Sequence, residues 1–457
     1  MLHGQGTVFV LGAGFTKAFL PKAPLLEDDY GGPALLKELE GKEFRHAREI
    51  LEQELYTCGG NINIERLMTR LHGRMPYDVE HRADKELDLL LSLIEQRFIN
   101  RIKDAMGTGE IHTEALRSFA SHCIMNGTHC ITFNYDELLD QALWEYRPRH
   151  GAIPNWSPDR GYGFACRISE ACIRDVPGPG GPSSMLLLKL HGSTNWRVPL
   201  GYAKPYPLEV VRHHETWFES YYLGSPKIAL DVIDPVLEPD PVMIPPVLSK
   251  SSLVEQPMLR FLWSRAYDVL SAAKHVVFIG YSLPITDMSA GYLFREGLRH
   301  LDQAKEITVV DYARNEQERT ATFARIHLAY RNVFPKISED QFDLAGARSW
   351  MFNNLTAWLY DSKGTPIAFL VGKHVFDSRS RFIGDMIDSE IVWGEGPQGQ
   401  SPYKGEMEGN RLVFREESRP SLKHVSVVPA VSPGVPTFPE CNDAIVLRPG
   451  LRDVVLG

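Results

Sequence analysis

Residues 8–19 read VFVLGAGFTKAF. Four apolar residues run without a break into Gly12-Ala13-Gly14, and Phe15, Thr16 and Lys17 follow. A short continuous apolar run ended by glycines predicts a buried parallel strand that stops at a tight turn into a helix. Glycines at such a turn let backbone N–H groups approach a phosphate, and the start of the next helix adds partial positive charge. The usual dinucleotide fingerprint wants a third glycine at position 17, where Lys17 stands, and Pro21 keeps the next helix short. On these residues alone, a strand-to-helix turn that holds nothing reads equally well.

Four further apolar runs end in the same way. Cys130–Phe133 runs into Asn134-Tyr135-Asp136, Met185–Leu190 into His191-Gly192-Ser193, His275–Ile279 into Gly280-Tyr281-Ser282, and Ile307–Val310 into Asp311. Between them lie helical patterns over Leu87–Met106, Glu137–Tyr146, Met258–Lys274 and Asp287–Leu301. Strands alternating with helices to about residue 335 predict a doubly wound α/β domain. Ligands sit beyond the carboxyl ends of the strands in such sheets, so all five polar endings are expected to converge on one crevice. Residues 150–184, with PGPGGPSS at 177–184, and residues 197–247 read as long insertions or loops.

After about residue 350 the texture changes to period-two alternation with internal echoes. Tyr360-Asp361-Ser362 returns as Phe376-Asp377-Ser378, and Phe382–Met386 returns as Tyr403–Met407. This predicts a small antiparallel β module of repeated hairpins over 350–457, offering sheet edges and exposed aromatics for contacts with a partner or a second copy. The tail Val425–Gly457 reads as extended or loop-like.

The chain of 457 residues carries 49 Lys and Arg against 58 Asp and Glu, a formal charge of −9. That balance speaks against an electrostatic, sequence-specific grip on nucleic acid. No run is long and apolar enough for a membrane span, and the N-terminus lacks signal-peptide features. The six cysteines form no C-x-x-C pair and read as reduced thiols of a cytoplasmic protein.

The strand endings carry the chemistry. In 131-ITFNYDELL-139, Asn134 can both donate to and accept from a sugar, and Asp136 can cap the next helix. In 187-LLKLHGSTNW-196, His191 stands at a strand end, where an imidazole can serve as a general base. Purely structural roles remain open for both. His129, His213 and His214 read as structural, and the His213-His214 pair has no third ligand at metal spacing. In 276-VVFIGYSLPITD-287 and 307-ITVVDY-312, Gly280 and Ser282 suit a phosphate or ribose, and Asp311 suits a ribose hydroxyl.

Taken in order, Gly-Ala-Gly-x-Thr, Asn-Tyr-Asp, Leu-His-Gly and Gly-x-Ser resemble the motif series of the sirtuins. The forms at 62-INIERLMTRL-71 and 242-VMIPPVLSKSS-252 are similar to the prokaryotic sirtuin-like proteins of antiphage defence. The resemblance covers roughly residues 5–335. It implies a sirtuin-like Rossmann-type sheet within residues 1–340, with NAD+ as substrate. Gly12, Ala13, Gly14 and Thr16 would line the phosphates, with Phe15 beside them. Asn134 would place a water at the nicotinamide ribose, supported by Asp136, and His191 would be the base. Gly280 and Ser282 would hold the far phosphate and ribose and Asp311 the adenosine side, with Tyr135, Tyr281 and Asp287 in the same binding surface.

One departure shapes the expected activity. Deacylating sirtuins carry two C-x-x-C pairs after the histidine for a structural zinc, whereas this chain has no cysteine between Cys172 and Cys441. The resemblance therefore implies hydrolysis of NAD+ to nicotinamide and ADP-ribose, without zinc. A non-catalytic NAD or ADP-ribose sensor, and a protein deacylase or ADP-ribosyltransferase, are the alternatives. A homo-oligomer, and a ring-shaped translocase or helicase ATPase as partner, are further implications.

Overall fold

The computed structural model describes residues 6–25, 32–40, 44–73, 84–108, 111, 113–145, 156–164, 166–168, 185–197, 208–210, 242–244, 246, 257–284, 287–301, 306–363, 365–371, 374–379, 381–387, 391–394, 403–408, 411–415 and 451–454. Its first part contains strands β1 (Thr7–Leu11), β2 (His129–Thr132), β3 (Cys166–Ile168), β4 (Leu187–Lys189), β5 (Trp196–Arg197), β6 (Leu208–Val210), β7 (His275–Ile279), β8 (Ile307–Val310) and β9 (Phe342–Asp343).

Six of these form a parallel sheet in the order β4-β2-β1-β7-β8-β9. The chain starts in the middle at β1, builds outward through β2 to β4, then crosses back to β7 and builds the other way. The direction of winding therefore reverses between β1 and β7. In open α/β sheets a crevice opens at that point, beyond the carboxyl ends of the strands.

Burial explains why these strands are uninterrupted apolar runs. All five residues of β1 are buried, and β7 is buried from Val276 to Ile279. In the β1–β7 register Phe9 lies beside Val277 and Val10 beside Phe278, so Phe9 and Phe278 point to opposite faces. Phe9 meets Phe119 of helix Thr113–Asn126 at 5.0 Å. Phe278 meets Phe294 at 5.0 Å and Tyr330 at 5.1 Å, on helices Met288–Gly297 and Glu316–Val333. Helices thus cover both faces, as a parallel sheet requires.

Between β1 and β2 the chain makes a helical layer over Gly32–Glu38, Arg45–Thr57, Ile64–His72 and Asp84–Thr108. This layer has its own apolar cluster, with Leu35, Leu51, Leu67, Leu90 and Phe98 buried in it. Phe98 meets Tyr135 edge-on at 5.3 Å, which sets the layer over the ending of β2.

One expectation for the insertions changes. Residues 166–168, expected within a long loop, form β3, which joins β6 and β5 in a three-stranded sheet. The stretch 177–184 and the pair at 213–214 lie outside the described residues. The sheet also has a sixth strand, β9, whose two residues are too short to show a period.

Helix Ala347–Asn354 leads into strands β10 (Thr356–Tyr360), β11 (Pro366–Val371), β12 (His374–Asp377), β13 (Phe382–Ile387), β14 (Ile391–Trp393), β15 (Tyr403–Glu408), β16 (Arg411–Arg415) and β17 (Leu451–Asp453). Consecutive strands pair antiparallel, and the sheet curls until β10 meets β16 at Tyr360 and Arg411. Leu359, Ala368, Val375, Met386, Val392 and Leu412 share its interior cluster.

The sequence echoes are echoes of turn chemistry. The Asp361 carboxylate accepts from the N–H groups of Lys363 and Thr365, and that of Asp377 from those of Arg379 and Arg381. The second echo places buried acids opposite basic partners: Asp385 meets His374 at 2.8 Å and Glu406 meets Arg415 at 2.6 Å. One expectation fails here. Phe376, Trp393 and Tyr403 are buried, so among the described residues this module shows no exposed large apolar side chain. Phe376 alternates with Val375 along β12, so it lies on the face opposite the Leu359 and Val375 cluster and is covered by Phe369 at 5.6 Å and Phe382 at 5.8 Å. Within the tail read as extended or loop-like, Leu451–Asp453 is extended as β17, and Asp453 accepts from the Ser362 N–H at 2.7 Å and hydroxyl at 2.8 Å.

Candidate functional site

A chamber of about 350 Å³ opens at the carboxyl ends of β1, β2, β4, β7 and β8. Gly12, Ala13, Gly14, Thr16, Asn134, Tyr135, Asp136, His191, Gly280, Tyr281, Ser282, Asp287 and Asp311 all line it. Phe15 does not. Its ring is 1% exposed and packs on Phe19 at 4.9 Å and Phe119 at 5.2 Å, so it belongs to the core.

The glycines have a structural reason independent of any ligand. The turn after β1 and the turn after β7 are pressed together: Gly12 N–H donates to Ile279 O and Gly14 N–H to Gly280 O. A Cβ at Gly12 would meet Gly280 O at 2.5 Å, and one at Gly280 would meet Phe15 N at 2.2 Å. The N–H groups of Gly12, Gly14 and Phe15 are all spent within the chain, the last on Gly12 O. The glycines therefore join the two turns at the crevice, and these three N–H groups do not form a waiting phosphate cradle.

Asn134 heads a directional chain. Its Nδ2 donates to Gly12 O at 2.8 Å and to Thr16 Oγ1 at 2.9 Å. A backbone carbonyl can only accept, so this contact fixes which way the amide faces. The Thr16 hydroxyl donates in turn to Asp136 Oδ2 at 2.8 Å, and Asp136 Oδ1 accepts from Leu138 N–H at 3.1 Å. Both amide donors are used. Among the described residues Asn134 Oδ1 has no protein partner, and it remains the acceptor for a hydroxyl or water. Asp136 thus holds Asn134 through Thr16 and starts helix Leu138–Glu145.

Behind this chain lies buried charge. Lys189, two residues before His191, is fully buried and donates to Asp136 O at 2.6 Å and to both Asp140 carboxylate oxygens at 3.1 Å. Burial raises the Asp136 pKa, opposed by Lys189 and by the Thr16 hydrogen bond. Burial, and then the Asp140 charge, push Glu137 up to about 8. Tyr135 O accepts from the Thr194 N–H at 2.9 Å and from the hydroxyls of Ser193 and Thr194, which ties the Asn134 loop to the His191 loop. Sequence reasoning passed over Lys189, Ser193 and Thr194. The only trace was a lysine inside an otherwise apolar strand.

His191 is 4% exposed. Its Nε2 lies 3.5 Å from Asp287 Oδ2, and its ring meets Phe133 edge-on at 5.0 Å. Asp287 also caps helix Met288–Gly297 by accepting from Ala290 N–H and accepts a hydrogen bond from the Tyr281 hydroxyl at 3.2 Å. Tyr281 stacks on Phe133 at 4.5 Å, and burial raises its phenol pKa well above the ordinary value. Asp287 and Tyr281, expected at the ligand, thus also hold the histidine. Leu283, in the same turn, sits at φ +48, a left-handed conformation unfavourable for a residue with a side chain. The 242–244 segment runs against the histidine loop, with Ile244 N–H donating to His191 O at 2.7 Å.

Asp311 closes the far side. Its backbone N–H donates to Asp343 O and its carbonyl accepts from Gly346 N–H. Its carboxylate accepts from Tyr312 N–H at 2.8 Å, and burial raises its pKa against the influence of Arg325. Of the histidines read as structural, His129 accepts from Leu186 N–H at 3.0 Å, and burial lowers its pKa.

The chain is similar to solved structures of Sir2 homologues. A Sir2 homologue–NAD complex shares 12% identity over 72% of this chain and 90% of that one, with a TM-score of 0.34. A Sir2 homologue variant with 2′-O-acetyl ADP-ribose shares 11% over 72% and 92%, at 0.32. Sir2 with an inhibitor, 2′-O-acetyl-ADP-ribose and a deacetylated peptide shares 12% over 72% and 94%, at 0.30. No family model matches the chain, and no curated protein matches it.

Proposed function

We propose that this chain is an NAD+ hydrolase that cleaves the bond between nicotinamide and ribose. One observation carries the reading: a single chamber is lined both by Asn134, with its amide oriented by Thr16, and by His191, backed by Asp287. The ordered motifs of the sequence supply the choice of NAD+ as substrate.

The chemistry asks little beyond this. When the C–N bond breaks, its electron pair leaves with nicotinamide, which departs as a neutral pyridine and needs no acid. The ribose takes on oxocarbenium character, and water adds to it. Asn134 Oδ1 accepts from that water or from a ribose hydroxyl and places it. His191 takes the proton released, and the Asp287 carboxylate favours the imidazolium that results. The products are nicotinamide, ADP-ribose and one proton. Asp136, Thr16 and Asp287 are positioning residues in this scheme.

Unchecked hydrolysis of NAD+ would harm the cell that makes the enzyme. We therefore include in the proposal an antiphage role in which NAD+ is depleted on a trigger, with control through self-assembly or a ring-shaped ATPase partner. The test is to incubate the purified chain with NAD+, alone and with candidate partners, and separate nicotinamide and ADP-ribose by chromatography. Asn134→Ala and His191→Ala are expected to abolish release. Bound but intact NAD+ in every condition supports a sensor instead. An acyl-lysine peptide consumed together with NAD+ supports deacylation.

A further inference from the structure

The chain through β4 is apolar with one exception. Leu187, Leu188 and Leu190 are fully buried, and so is Lys189 among them. A lysine is costly in that place, because its ammonium leaves water, and an aliphatic side chain would suit the strand without the cost. A buried ion pair adds little stability over an apolar replacement of similar volume, so fold stability alone does not account for the residue. An ammonium has three donors and no acceptor. Lys189 meets three acceptors: Asp136 O at 2.6 Å and the two Asp140 carboxylate oxygens, each at 3.1 Å.

The Asp136 carbonyl is the informative partner. Residues 134–137 lie between β2 and helix Leu138–Glu145 and belong to neither, so their backbone groups must find partners elsewhere. Two carbonyls of this loop find them on one stretch of chain. Tyr135 O accepts from Thr194 N–H and from the Ser193 and Thr194 hydroxyls, and Asp136 O accepts from Lys189. Lys189 precedes His191 in the sequence, and Ser193 and Thr194 follow it. The loop that carries Asn134 is therefore hung on the segment that carries His191, from both sides of the histidine. The Lys189 side has its own anchor. Asp140 also accepts from the Tyr162 hydroxyl, and the Tyr162 ring meets Trp156 at 5.3 Å and Trp196 at 5.0 Å, all three rings being buried.

We infer that Lys189 is a positioning residue: by holding the Asp136 carbonyl it sets the placement of Asn134 relative to His191, while Asp140 and Tyr162 keep the ammonium in place. This rests on the hydrolase reading for the reaction that the placement serves. It goes further in making cleavage depend on side chains that do not line the chamber, since Lys189, Asp140 and Tyr162 all stand behind it. The effect belongs to turnover. Asn134 must hold the water or ribose hydroxyl in a reactive geometry, and a shift of about 1 Å costs on the order of a hundredfold in rate. The turns after β1, β7 and β8 line the chamber independently of this clamp, so binding of the dinucleotide is largely kept.

The experiment uses the full chain and separates placement from stability. Lys189→Met alone leaves Asp140 buried without its cation and is expected to lower the melting temperature by several degrees. The triple variant Lys189→Met, Asp140→Leu, Tyr162→Phe replaces the whole polar group by apolar side chains and is expected to recover most of that loss. Its turnover is not expected to recover: kcat for nicotinamide release stays down about thirtyfold, with KM for NAD+ within about threefold. Deuterium exchange supplies a readout that needs no turnover. The peptide spanning residues 131–139 is expected to exchange faster in the triple variant, while the peptide spanning β7 exchanges as in the unmodified chain. The comparison with β7 separates local loosening from general loss of stability, so it decides the matter whether or not the melting temperature recovers. Exchange at 131–139 that changes no more than at β7 overturns the inference, as does kcat within about twofold in an active chain. Faster exchange confined to 131–139 in a chain that releases no nicotinamide overturns the hydrolase reading and leaves the clamp standing.

Discussion

Asp287 Oδ2 lies 3.5 Å from His191 Nε2, and both side chains are about 5% exposed. A carboxylate this close, shielded from solvent, orients the ring and stabilises the cation formed when the ring takes a proton. Asp287→Asn keeps the size, and asparagine also caps helices well, so helix Met288–Gly297 should persist. The expected result is a loss of about a hundredfold in kcat for nicotinamide release, with little change in melting temperature. Activity within twofold of the unmodified chain would remove Asp287 from the mechanism.

Thr16 tests the other arm. Its hydroxyl accepts from Asn134 and donates to Asp136, so together with Gly12 O it occupies the amide donors and leaves Oδ1 for the substrate. Thr16→Val keeps the shape and deletes both bonds, leaving a buried carboxylate and an amide N–H short of a partner. A stability loss of about 1–3 kcal/mol is expected from urea unfolding, with activity reduced about tenfold. Thr16→Ser should restore both, because the hydroxyl carries the argument. Equal damage from serine and valine would show that packing alone matters.

Two glycines with similar backbone angles separate strain from collision. Gly280 has φ +60 and Gly59 has φ +65. A Cβ at Gly59 meets nothing within 4 Å, while one at Gly280 meets Phe15 N at 2.2 Å and Gly14 C at 2.3 Å. Gly59→Ala is therefore expected to cost only about 1 kcal/mol of left-handed strain. Gly280→Ala must push the two crevice turns apart and is expected to cost about 4 kcal/mol or more, together with NAD+ binding. Thermal melts of the pair decide this, and equal costs would refute the tight joining of the turns.

These cases show what the sequence made legible. Strands β1, β7 and β8 end where their apolar runs do, because a strand buried on both faces has few polar positions to blur its limits. Asn134 and His191 stood out because a polar residue directly after such a run marks the rim of the sheet. The roles were harder to see. Asp287 read as a ligand contact, and it also lies 3.5 Å from His191, 96 residues away in the sequence. Gly12 and Gly280 looked like phosphate glycines, and they have a second reason in contact across 268 residues of sequence. In the C-terminal sheet the alternation and turns were readable. The closing pair Tyr360–Arg411 was not, since it joins strands 51 residues apart.

Glu137 gives a prediction in pH. Burial and the Asp140 charge hold its carboxyl up to about 8, against an ordinary value of 4.5. The folded chain keeps this proton over a range in which the unfolded chain has lost it. Between those two values the folded state binds more protons than the unfolded state, so stability falls as pH rises from about 4.5 toward 8, then levels off. Glu137→Gln mimics the protonated form and removes the dependence. In denaturant unfolding at pH 5 and pH 8, the unmodified chain should lose a few kcal/mol relative to the glutamine variant at the higher pH. Lys189, which donates to Asp136 O and Asp140, opposes the shift by favouring negative charge nearby, so Lys189→Met should carry the fall in stability to higher pH. Parallel pH profiles for the unmodified chain and Glu137→Gln would mean that Glu137 is already ionised at neutral pH and that Lys189 compensates all the carboxylates around it.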